Sequence, residues 1–504
     1  MKKSLKKLTA AVVAGTMATG FATMGMVEAA QLAPRTIVTT DGEVDDMNSF
    51  LRFLLYTNEL DVEGIVYSAS MWHYKGDGKG TTFQTQMGWT KPIYSTPRTD
   101  LRWCGTDWIH DYIEKYRAVY PKLHANDSRY PTADKLQSLV KVGNIDFEGE
   151  MAYDTDGSNL IKEKLLDNND APIYLETWGG CNTIARALKS IEEQYKGTAQ
   201  WDSIYQKVSK KAVLYNIMDQ DDTYKTYISR SWPDIKVWYN SIQFASLAYI
   251  WKDVVPKEQQ PYFRGPWMQK NILTGYGKAY MTYGDGHHLT GDPEDTFGQP
   301  SVAKEKGYGM YDLISEGDSP SFLYLVDNGL RSYESPAYGG WGGRFSPCMS
   351  TKNVWEDNEG SWDVNPATGE REKFYAQTRW GQAIQNDFAA RVQWTQKDPK
   401  DANHAPEVSV AGGLDRTAAP GETVTITATA KDPDGDKLTS SWMQYQEAGT
   451  YAGKVKLAKT NGLTTSFTMP KDIKKGETIH LILTVTDSGT PALTHYARVI
   501  VTAK

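Results

Sequence analysis

The sequence predicts an α/β protein, in which an open, mostly parallel sheet flanked by helices is followed by a C-terminal all-β sandwich. Up to residue 400, short β-branched runs alternate with segments whose apolar residues recur at helical spacing. After residue 401, the pattern changes to period-two runs separated by turn sequences. These two patterns predict two different architectures in one chain.

The α/β region begins with a strand, a helix and a second strand. Segment 36–40 is β-branched and apolar, and segment 61–68 has a similar character. Between them, apolar residues recur at helical spacing, at Met47, Phe50, Leu51, Leu54 and Leu55. Segments 173–175 and 212–215 predict two further strands, with a helix between them. Such alternation gives parallel strands, so we expect the ligand site at their carboxyl ends.

The C-terminal region predicts a β-sandwich of the immunoglobulin type. Its clearest alternating runs are 423–427 and 479–485, and the turn sequences 432–436 and 487–491 each follow one of them. A linker-like joint precedes them at 403–406. We therefore expect one domain at 31–400 and a second at 401–504.

The first 30 residues are typical of a secretory signal peptide. They begin with a charged end containing four lysines, continue with a mildly apolar stretch at 8–26, and end in Ala29 and Ala30. The alternative is an uncleaved membrane anchor, but Thr and Gly dilute the apolar stretch. The prediction is a secreted or periplasmic protein without a stable membrane anchor.

Composition excludes some partners and leaves others open. The formal net charge is −7 and no basic stripe is present, which argues against nucleic acid and anionic membranes as partners. The 12% aromatic content suits stacking on sugars or bases, or equally a Trp-rich core. Three cysteines do not make a disulfide framework, although one pair could form. The oligomeric state is left open.

An acidic motif follows the first predicted strand. Asp41, Glu43, Asp45 and Asp46 lie within six residues. Carboxylates this close raise one another's pKa unless a cation neutralises them, and oxygen ligands of this kind suit Ca²⁺. An acidic turn with a helix N-cap explains the same residues equally well. The motif's position favours a site, because it and segment 178–182 each follow a predicted parallel strand.

Three segments of the chain resemble the nucleoside hydrolases. Segment 41–46 resembles their aspartate signature, 178–185 resembles their second loop, and 317–325 resembles the late segment that supplies their last aspartate. A bacterial branch of nucleoside-hydrolase-like proteins, some described as cellulose-binding, is more similar. That resemblance is carried by 219–222, 316–322 and 339–344, and members of this branch tend to end in an immunoglobulin-like module.

The resemblance implies a Ca²⁺ site and a hydrolytic mechanism. It assigns the side chains of Asp41, Asp46 and Asp318 and the main-chain oxygen of Trp178 as metal ligands, with Asp45 contacting the ion or sugar hydroxyls. The ion would hold a water that Asp41 deprotonates, and the water would cleave an N-glycosyl or related glycosidic bond. The expected substrate is a nucleoside-like small molecule or a plant polysaccharide.

Two departures from the nucleoside hydrolases concern catalysis. Thr39 stands where that family usually has another aspartate, and Gly317 stands where many members have a histidine that protonates the leaving base. The leaving-group acid is therefore unassigned. The alternative function is non-catalytic binding of a polysaccharide such as cellulose on the same fold.

Further side chains are candidates for substrate binding, and each has a structural alternative. His73 follows the second strand and could instead be a core histidine, while Trp341 lies among glycines and could be a stacking platform or part of a surface turn. Asn182, Asp219 and Asp222 follow predicted strands and could line a pocket or cap a helix.

Overall fold

An eight-stranded sheet forms the α/β part of the computed structural model, which describes residues 33–504. In chain order the strands are β1 (Arg35–Thr40), β2 (Asp61–Tyr67), β3 (Val140–Val142), β4 (Ile173–Thr177), β5 (Ala212–Ile217), β6 (Lys236–Asn240), β7 (Ser346–Pro347) and β8 (Val354–Glu356). Their order across the sheet is β3-β2-β1-β4-β5-β6-β8-β7. Neighbouring strands are parallel throughout except for the edge strand β7, which is antiparallel to β8. The predicted mostly parallel sheet is confirmed.

Helices cover both faces of this sheet. They are α1 (Val44–Leu54), α2 (Trp108–Asn126), α3 (Ala133–Ser138), α4 (Asp156–Leu166), α5 (Asn182–Tyr195), α6 (Trp201–Lys211), α7 (Ser229–Ser231), α8 (Trp251–Val254), α9 (Gly265–Asn271), α10 (Pro300–Glu305), α11 (Pro320–Leu323), α12 (Tyr375–Thr378) and α13 (Gly381–Trp394). Strand β1 shows why its sequence is apolar without alternation. Val38 packs with Phe50 of α1 in one core, and Ile37 packs with Leu188 of α5 in the other.

The strand register brings three loops to one edge of the sheet. Thr39 near the end of β1 pairs with Thr177 of β4, and Thr177 pairs with Asn216 of β5. The loops that begin at Asp41 and Trp178 therefore start side by side, next to the loop after β5. This is the edge at which ligands bind in open α/β sheets.

The C-terminal region is a sandwich of two sheets, as predicted. A two-stranded ribbon of β9 (Asp363–Val364) and β10 (Arg371–Glu372) precedes it in the chain. The sandwich strands are β11 (Glu407–Val410), β12 (Asp415–Ala418), β13 (Thr423–Lys431), β14 (Thr439–Gln444), β15 (Thr464–Thr468), β16 (Thr478–Thr486) and β17 (Thr494–Ala503). The sheet β11-β13-β15 faces the sheet β12-β17-β16-β14 across a core that contains Ile426, Phe467, Trp442 and Leu481.

The four-stranded sheet is buried on its second face too. Ile482 and Tyr496 belong to the large core of the α/β part rather than to the core of the sandwich. The buried Arg498 donates to the carbonyl oxygens of Leu330 and Gly339, at 2.6 and 2.8 Å. Burial on both faces explains why 479–485 is almost continuously apolar instead of strictly alternating.

His480 gives this interface a pH dependence. Its Nδ1 accepts a hydrogen bond from Arg498 Nη1 at 3.2 Å, so the ring is neutral at that atom. Burial, and then the positive charges of Arg498 and Arg331, lower the pKa of His480 from 6.5 to about 3. As pH falls below 6.5, the unfolded chain takes up a proton that the folded chain does not, so stability is lost.

We expect His480→Gln, which keeps an acceptor and removes the titration, to reduce this loss. Chemical unfolding at pH 7.5 and pH 5 should show the wild type losing about 2 kcal/mol more than the variant. The exposed His110, changed to Gln, is the matched control and should leave the pH dependence unchanged. Equal pH dependence in wild type and His480→Gln would contradict the depressed pKa.

The remaining expectations concern the ends of the chain and the cysteines. The predicted signal peptide at 1–30 lies outside the described residues. Contacts place Pro34–Lys504 in one compact unit, and the boundary expected near residue 401 stays a prediction. All three cysteines are free thiols. None of the helices within 33–504 has both the length and the apolar character needed to cross a bilayer.

Candidate metal centre

Three carboxylates from distant parts of the chain meet at the carboxyl edge of the sheet. Asp45 and Asp46 lie in the first turn of α1, and Asp318 lies in the loop before α11. One oxygen of each lies within 4.8 Å of the others. Within 33–504, this is the group of acidic, histidine and cysteine side chains close enough together to hold a metal ion. The predicted convergence of Asp318 with the acidic motif is therefore present in the structure.

The cluster is buried and short of hydrogen-bond donors. Asp318 is 1% exposed, and its Oδ2 has no hydrogen-bond partner. Burial, and then the charges of Asp45 and Asp41, raise the pKa of Asp318 well above its usual value. Burial, and then the charges of Asp41 and Asp318, do the same to the pKa of Asp46. Buried acids that repel one another, one of them with an oxygen that has no donor, fit a divalent cation with oxygen ligands.

Asp41 lies next to this cluster but faces a histidine. Its main-chain N–H donates to Asp46 Oδ1 at 3.2 Å, and its Oδ2 lies 3.7 Å from His73 Nδ1. Burial by itself would raise the pKa of Asp41, but the neighbouring His73 side chain outweighs it and lowers that pKa. The Asp41 carboxylate is thus ionised, and its Oδ2 has no hydrogen-bond partner.

His73 is held between two carboxylates. Its Nε2 lies 3.7 Å from Asp292 Oδ2, and Arg102 binds Asp292 with two nitrogens, at 2.8 and 3.0 Å. Burial opposes protonation, but Asp292 and Asp41 outweigh it and raise the pKa of His73 to about 9. Both ring nitrogens face carboxylates, so this fully buried side chain positions Asp41 rather than making the substrate contact expected from the sequence.

The loop after β4 approaches the acids closely because it contains two glycines. A Cβ at Gly179 would lie 2.9 Å from Asp41 Cβ, and one at Gly180 would lie 2.3 Å from Asp221 Oδ2. The carbonyl oxygen of Trp178, an expected metal ligand, accepts a hydrogen bond from Gln220 Nε2 at 2.5 Å. A carbonyl oxygen has two lone pairs, so one stays available at Trp178.

Gly317 leaves no space for the histidine that many nucleoside hydrolases have there. A Cβ at this position would lie 2.7 Å from Asp45 Oδ2 and 3.3 Å from the Phe244 ring. The Asp45 side chain occupies this space and accepts from Ser315 Oγ at 3.4 Å. The glycine at position 317 is thus explained by the Asp45 side chain, which packs against it.

A pocket of about 570 Å³ opens beside the cluster. Its wall contains the aromatic side chains Trp72, Tyr249, Tyr283, Phe297 and Tyr308. The hydroxyl of Tyr249 lies 2.9 Å from Glu43 Oε1 and 3.3 Å from Asp45 Oδ1, so this side chain joins the pocket wall to the acidic motif. Flat aromatic faces next to oxygen acceptors suit a ligand with apolar ring faces and hydroxyl groups.

The other predicted substrate residues lie elsewhere. The side-chain amide of Asn182 donates to the carbonyl oxygens of Asn144 and Glu150, at 2.8 and 3.1 Å. Asn182 therefore holds a loop in place instead of contacting a substrate. Asp219 and Asp222 line a second, separate groove. Asp219 also accepts from two main-chain N–H groups of the following helical turn, so both roles weighed from the sequence apply to it.

Trp341 is a core residue. It is 1% exposed and belongs to the large hydrophobic core, so its ring offers no face to a ligand. This placement corrects the stacking role expected from its glycine-rich surroundings.

Several residues of the site were not singled out from the sequence. Tyr249, Asp292 and Arg102 lie in loop-rich segments without regular hydropathy patterns, and each reaches the site from far along the chain. The short segment 284–295, with its alternating acids and histidines, is the signal that could have pointed to Asp292.

Comparisons with known proteins identify the family and the fold. The family model described as "Cellulose-binding Sde182, nucleoside hydrolase-like domain" matches residues 35–345, and "Cellulose-binding protein Sde0182, C-terminal domain" matches 423–503. The chain is similar in structure to a nucleoside hydrolase-related hypothetical protein from Saccharophagus degradans that is associated with carbohydrate metabolism. The two are 25% identical with a TM-score of 0.68, over 94% of this chain and 100% of the other.

More distant structures add nothing to the assignment. The effector protein XOO4466 is 11% identical over 73% of this chain and 95% of its own, with a TM-score of 0.32. Three N-terminal domains of the Hoc capsid protein of bacteriophage RB49 are 12% identical over 20% of this chain and 30% of theirs, with a TM-score of 0.14. No curated protein sequence matches the chain significantly.

Proposed function

The chain belongs to the family of cellulose-binding proteins with a nucleoside hydrolase-like domain, and from this premise we propose that it is a Ca²⁺-dependent hydrolase of glycosyl bonds. The bond is the N-glycosyl bond of a nucleoside-like compound or a related glycosidic bond. The observation that carries the proposal is the buried meeting of Asp45, Asp46 and Asp318, with an oxygen of Asp318 left without a donor.

The proposed ligands are the three clustered carboxylates, with Asp41 and the Trp178 carbonyl oxygen beside them. Bound Ca²⁺ would lower the pKa of a water molecule at the site. The lowered pKa keeps Asp41 ionised, so its carboxylate can accept a proton from that water as a general base. His73, held by Asp292, keeps Asp41 charged and oriented. The aromatic pocket would hold the sugar, and its Glu43 offers an acceptor for hydroxyl groups.

A second candidate function is carbohydrate binding without turnover. It is favoured by Gly317, because the structure has no space there for the histidine that would protonate a leaving base. It also agrees with the cellulose-binding description of the family. In this case the cation would organise the pocket but cleave nothing.

One experiment separates the two candidates. The purified chain is incubated with a panel of nucleosides and plant oligosaccharides, with Ca²⁺ or with a chelator, and the release of reducing sugar is measured. Hydrolysis predicts release that the chelator and Asp46→Asn both abolish, whereas the exposed control Asp170→Asn leaves it unchanged. Binding without release from any substrate would favour the second candidate, and release that the chelator does not affect would contradict the role of the cation.

Gly317→Ala tests whether the packing around Asp45 matters for the cation. The added Cβ meets Asp45 Oδ2, so the carboxylate must move, and we expect Ca²⁺ affinity to fall about tenfold or more. Isothermal titration calorimetry with CaCl₂ measures the effect. Gly88→Ala is the matched control, because a Cβ there has no neighbour within 4 Å. Equal affinity in both variants would place Asp45 outside the ligand set.

The proposal places the protein outside the cytoplasm. The lysine-rich start, the apolar stretch and the two alanines before residue 31 support export. N-terminal sequencing of the protein from its native host tests this, with a start near residue 31 as the expected result.

A further inference from the structure

A second groove, on the same edge of the sheet, has no role in the proposed reaction. Its volume is about 760 Å³, and it is lined by Trp89, the acids Asp219, Asp222 and Glu356, and hydroxyl-bearing side chains. We propose that this groove is a binding site for a neutral polysaccharide chain, separate from the cation cluster. The following contacts carry the proposal.

Trp89 is displayed to solvent on a rigid support. It is 69% exposed, although a tryptophan usually buries most of its large apolar surface. The loop beneath it is anchored where the N–H of Gln86 donates to Glu148 Oε1 at 3.0 Å and the N–H of Tyr94 donates to Thr90 O at 2.8 Å. The Tyr94 side chain packs in a small separate hydrophobic core. An indole held in this way is preorganised to stack on the face of a sugar ring.

The polar lining selects against negatively charged ligands. Asp222 is paired with Lys225, at 3.1 Å, and burial raises the pKa of Asp219 to about 7, so Glu356 gives the lining its remaining full charge, which is negative. Carboxylates accept hydrogen bonds from hydroxyl groups, so a polyhydroxylated chain finds partners on this wall. A chain that carries carboxylates or phosphates would be repelled. The chemistry therefore favours an uncharged glycan over acidic glycans and nucleic acid.

The loop after β5 connects this groove to the cation cluster. Asp219 and Asp222 face the groove, while Gln220 between them donates to the Trp178 carbonyl and accepts from the N–H of Met71 at 2.7 Å. One short segment thus contacts both sites. A long glycan held at Trp89 would lie on the same edge as the aromatic pocket.

Binding calorimetry with the full chain tests the groove. The probe is cellohexaose, titrated in the presence of a chelator so that the cation cluster takes no part. We expect Trp89→Ala to bind about tenfold more weakly, and Trp89→Phe, which keeps a flat ring, to recover most of the affinity. Tyr153→Ala removes another exposed aromatic ring, one that does not line the groove, and should leave the affinity unchanged. A hexamer of galacturonic acid should not bind.

Four results would overturn the proposal. They are an unchanged affinity in Trp89→Ala, an equal loss in Trp89→Phe, tight binding of the galacturonate hexamer, and a Trp89-dependent self-association in light scattering, which would make the groove an interface between two copies. The inference takes only the class of ligand from the proposed function. The titration needs neither Ca²⁺ nor turnover. It therefore still tests the groove if the protein turns out not to hydrolyse any substrate. Conversely, a failed titration leaves chelator-sensitive sugar release intact.

Discussion

Replacing Asp318 with asparagine is expected to weaken Ca²⁺ binding at least a hundredfold and, at the same time, to stabilise the cation-free protein. The change removes one charge of the three clustered carboxylates while keeping the shape of the side chain. Without a cation, the buried Asp318 carboxylate is repelled by Asp45 and Asp41 and has an oxygen without a donor. Removing that charge relieves the repulsion, and we expect a gain of about 1–3 kcal/mol without Ca²⁺.

The two effects are measured on the same samples. Calorimetry with CaCl₂ gives the affinity, and chemical unfolding with chelator and with saturating Ca²⁺ gives the two stabilities. In saturating Ca²⁺ we expect the wild type to be more stable than Asp318→Asn, because Ca²⁺ binds the wild type more tightly and so stabilises it more. The exposed control Asp170→Asn should change neither quantity. If the variant is less stable than the wild type without a cation, the protein itself must supply partners that stabilise the Asp318 carboxylate.

Glu316→Gln is expected to have the largest effect on stability. Glu316 and Arg52 form an ion pair at 2.5 Å in which both side chains are fully buried. Arg52 also donates to Gln385 Oε1 at 2.6 Å and lies 4.0 Å from the centre of the Phe388 ring. The neutral amide leaves the arginine charge buried without its carboxylate, which costs about 3–5 kcal/mol.

The same pair ties helix α1 to the loop that carries Asp318. Arg52 lies in the helix that begins with Asp45 and Asp46, and Glu316 lies two residues before Asp318. We therefore expect Glu316→Gln also to lower Ca²⁺ affinity, through misplacement of Asp318. Arg117→Ala is the control, because its ion pairs with Glu114 and Asp134 are exposed to solvent and contribute little to stability. A loss in Glu316→Gln no larger than in this control would contradict the role of the buried pair.

Strand β1, helix α1 and the sandwich strands could be predicted because their signals are local. A strand covered on both faces needs consecutive apolar residues, and a helix on a sheet needs one apolar stripe, so 36–40 and Met47–Leu55 indicate their own structure. The continuous run at 479–485 was predicted as a strand. Its second apolar face is explained only by the tertiary structure, because this face packs on the α/β part.

The site could be predicted in outline through its resemblance to nucleoside hydrolases. The acids at 41–46 lie next to one another in the chain, and the resemblance pointed to Asp318. It did not reveal that Asp41 faces His73, that Gln220 holds the Trp178 carbonyl, or that Asp45 fills the space at Gly317. Those contacts join residues from separate loops, and no periodicity connects them.

Sequence patterns alone therefore predicted the two architectures and the edge of the sheet at which the acidic motif 41–46 lies, because each follows from the character of neighbouring residues. Which side chains reach that edge depended on tertiary packing. His73 contacts two carboxylates and Asn182 binds a loop, and both have structural roles. Trp341 is buried in the core. Tyr249 and Asp292 reach the site from distant loops. A side chain's partners are determined by the burial and the distances that the whole fold imposes, and these quantities do not exist until the chain has packed.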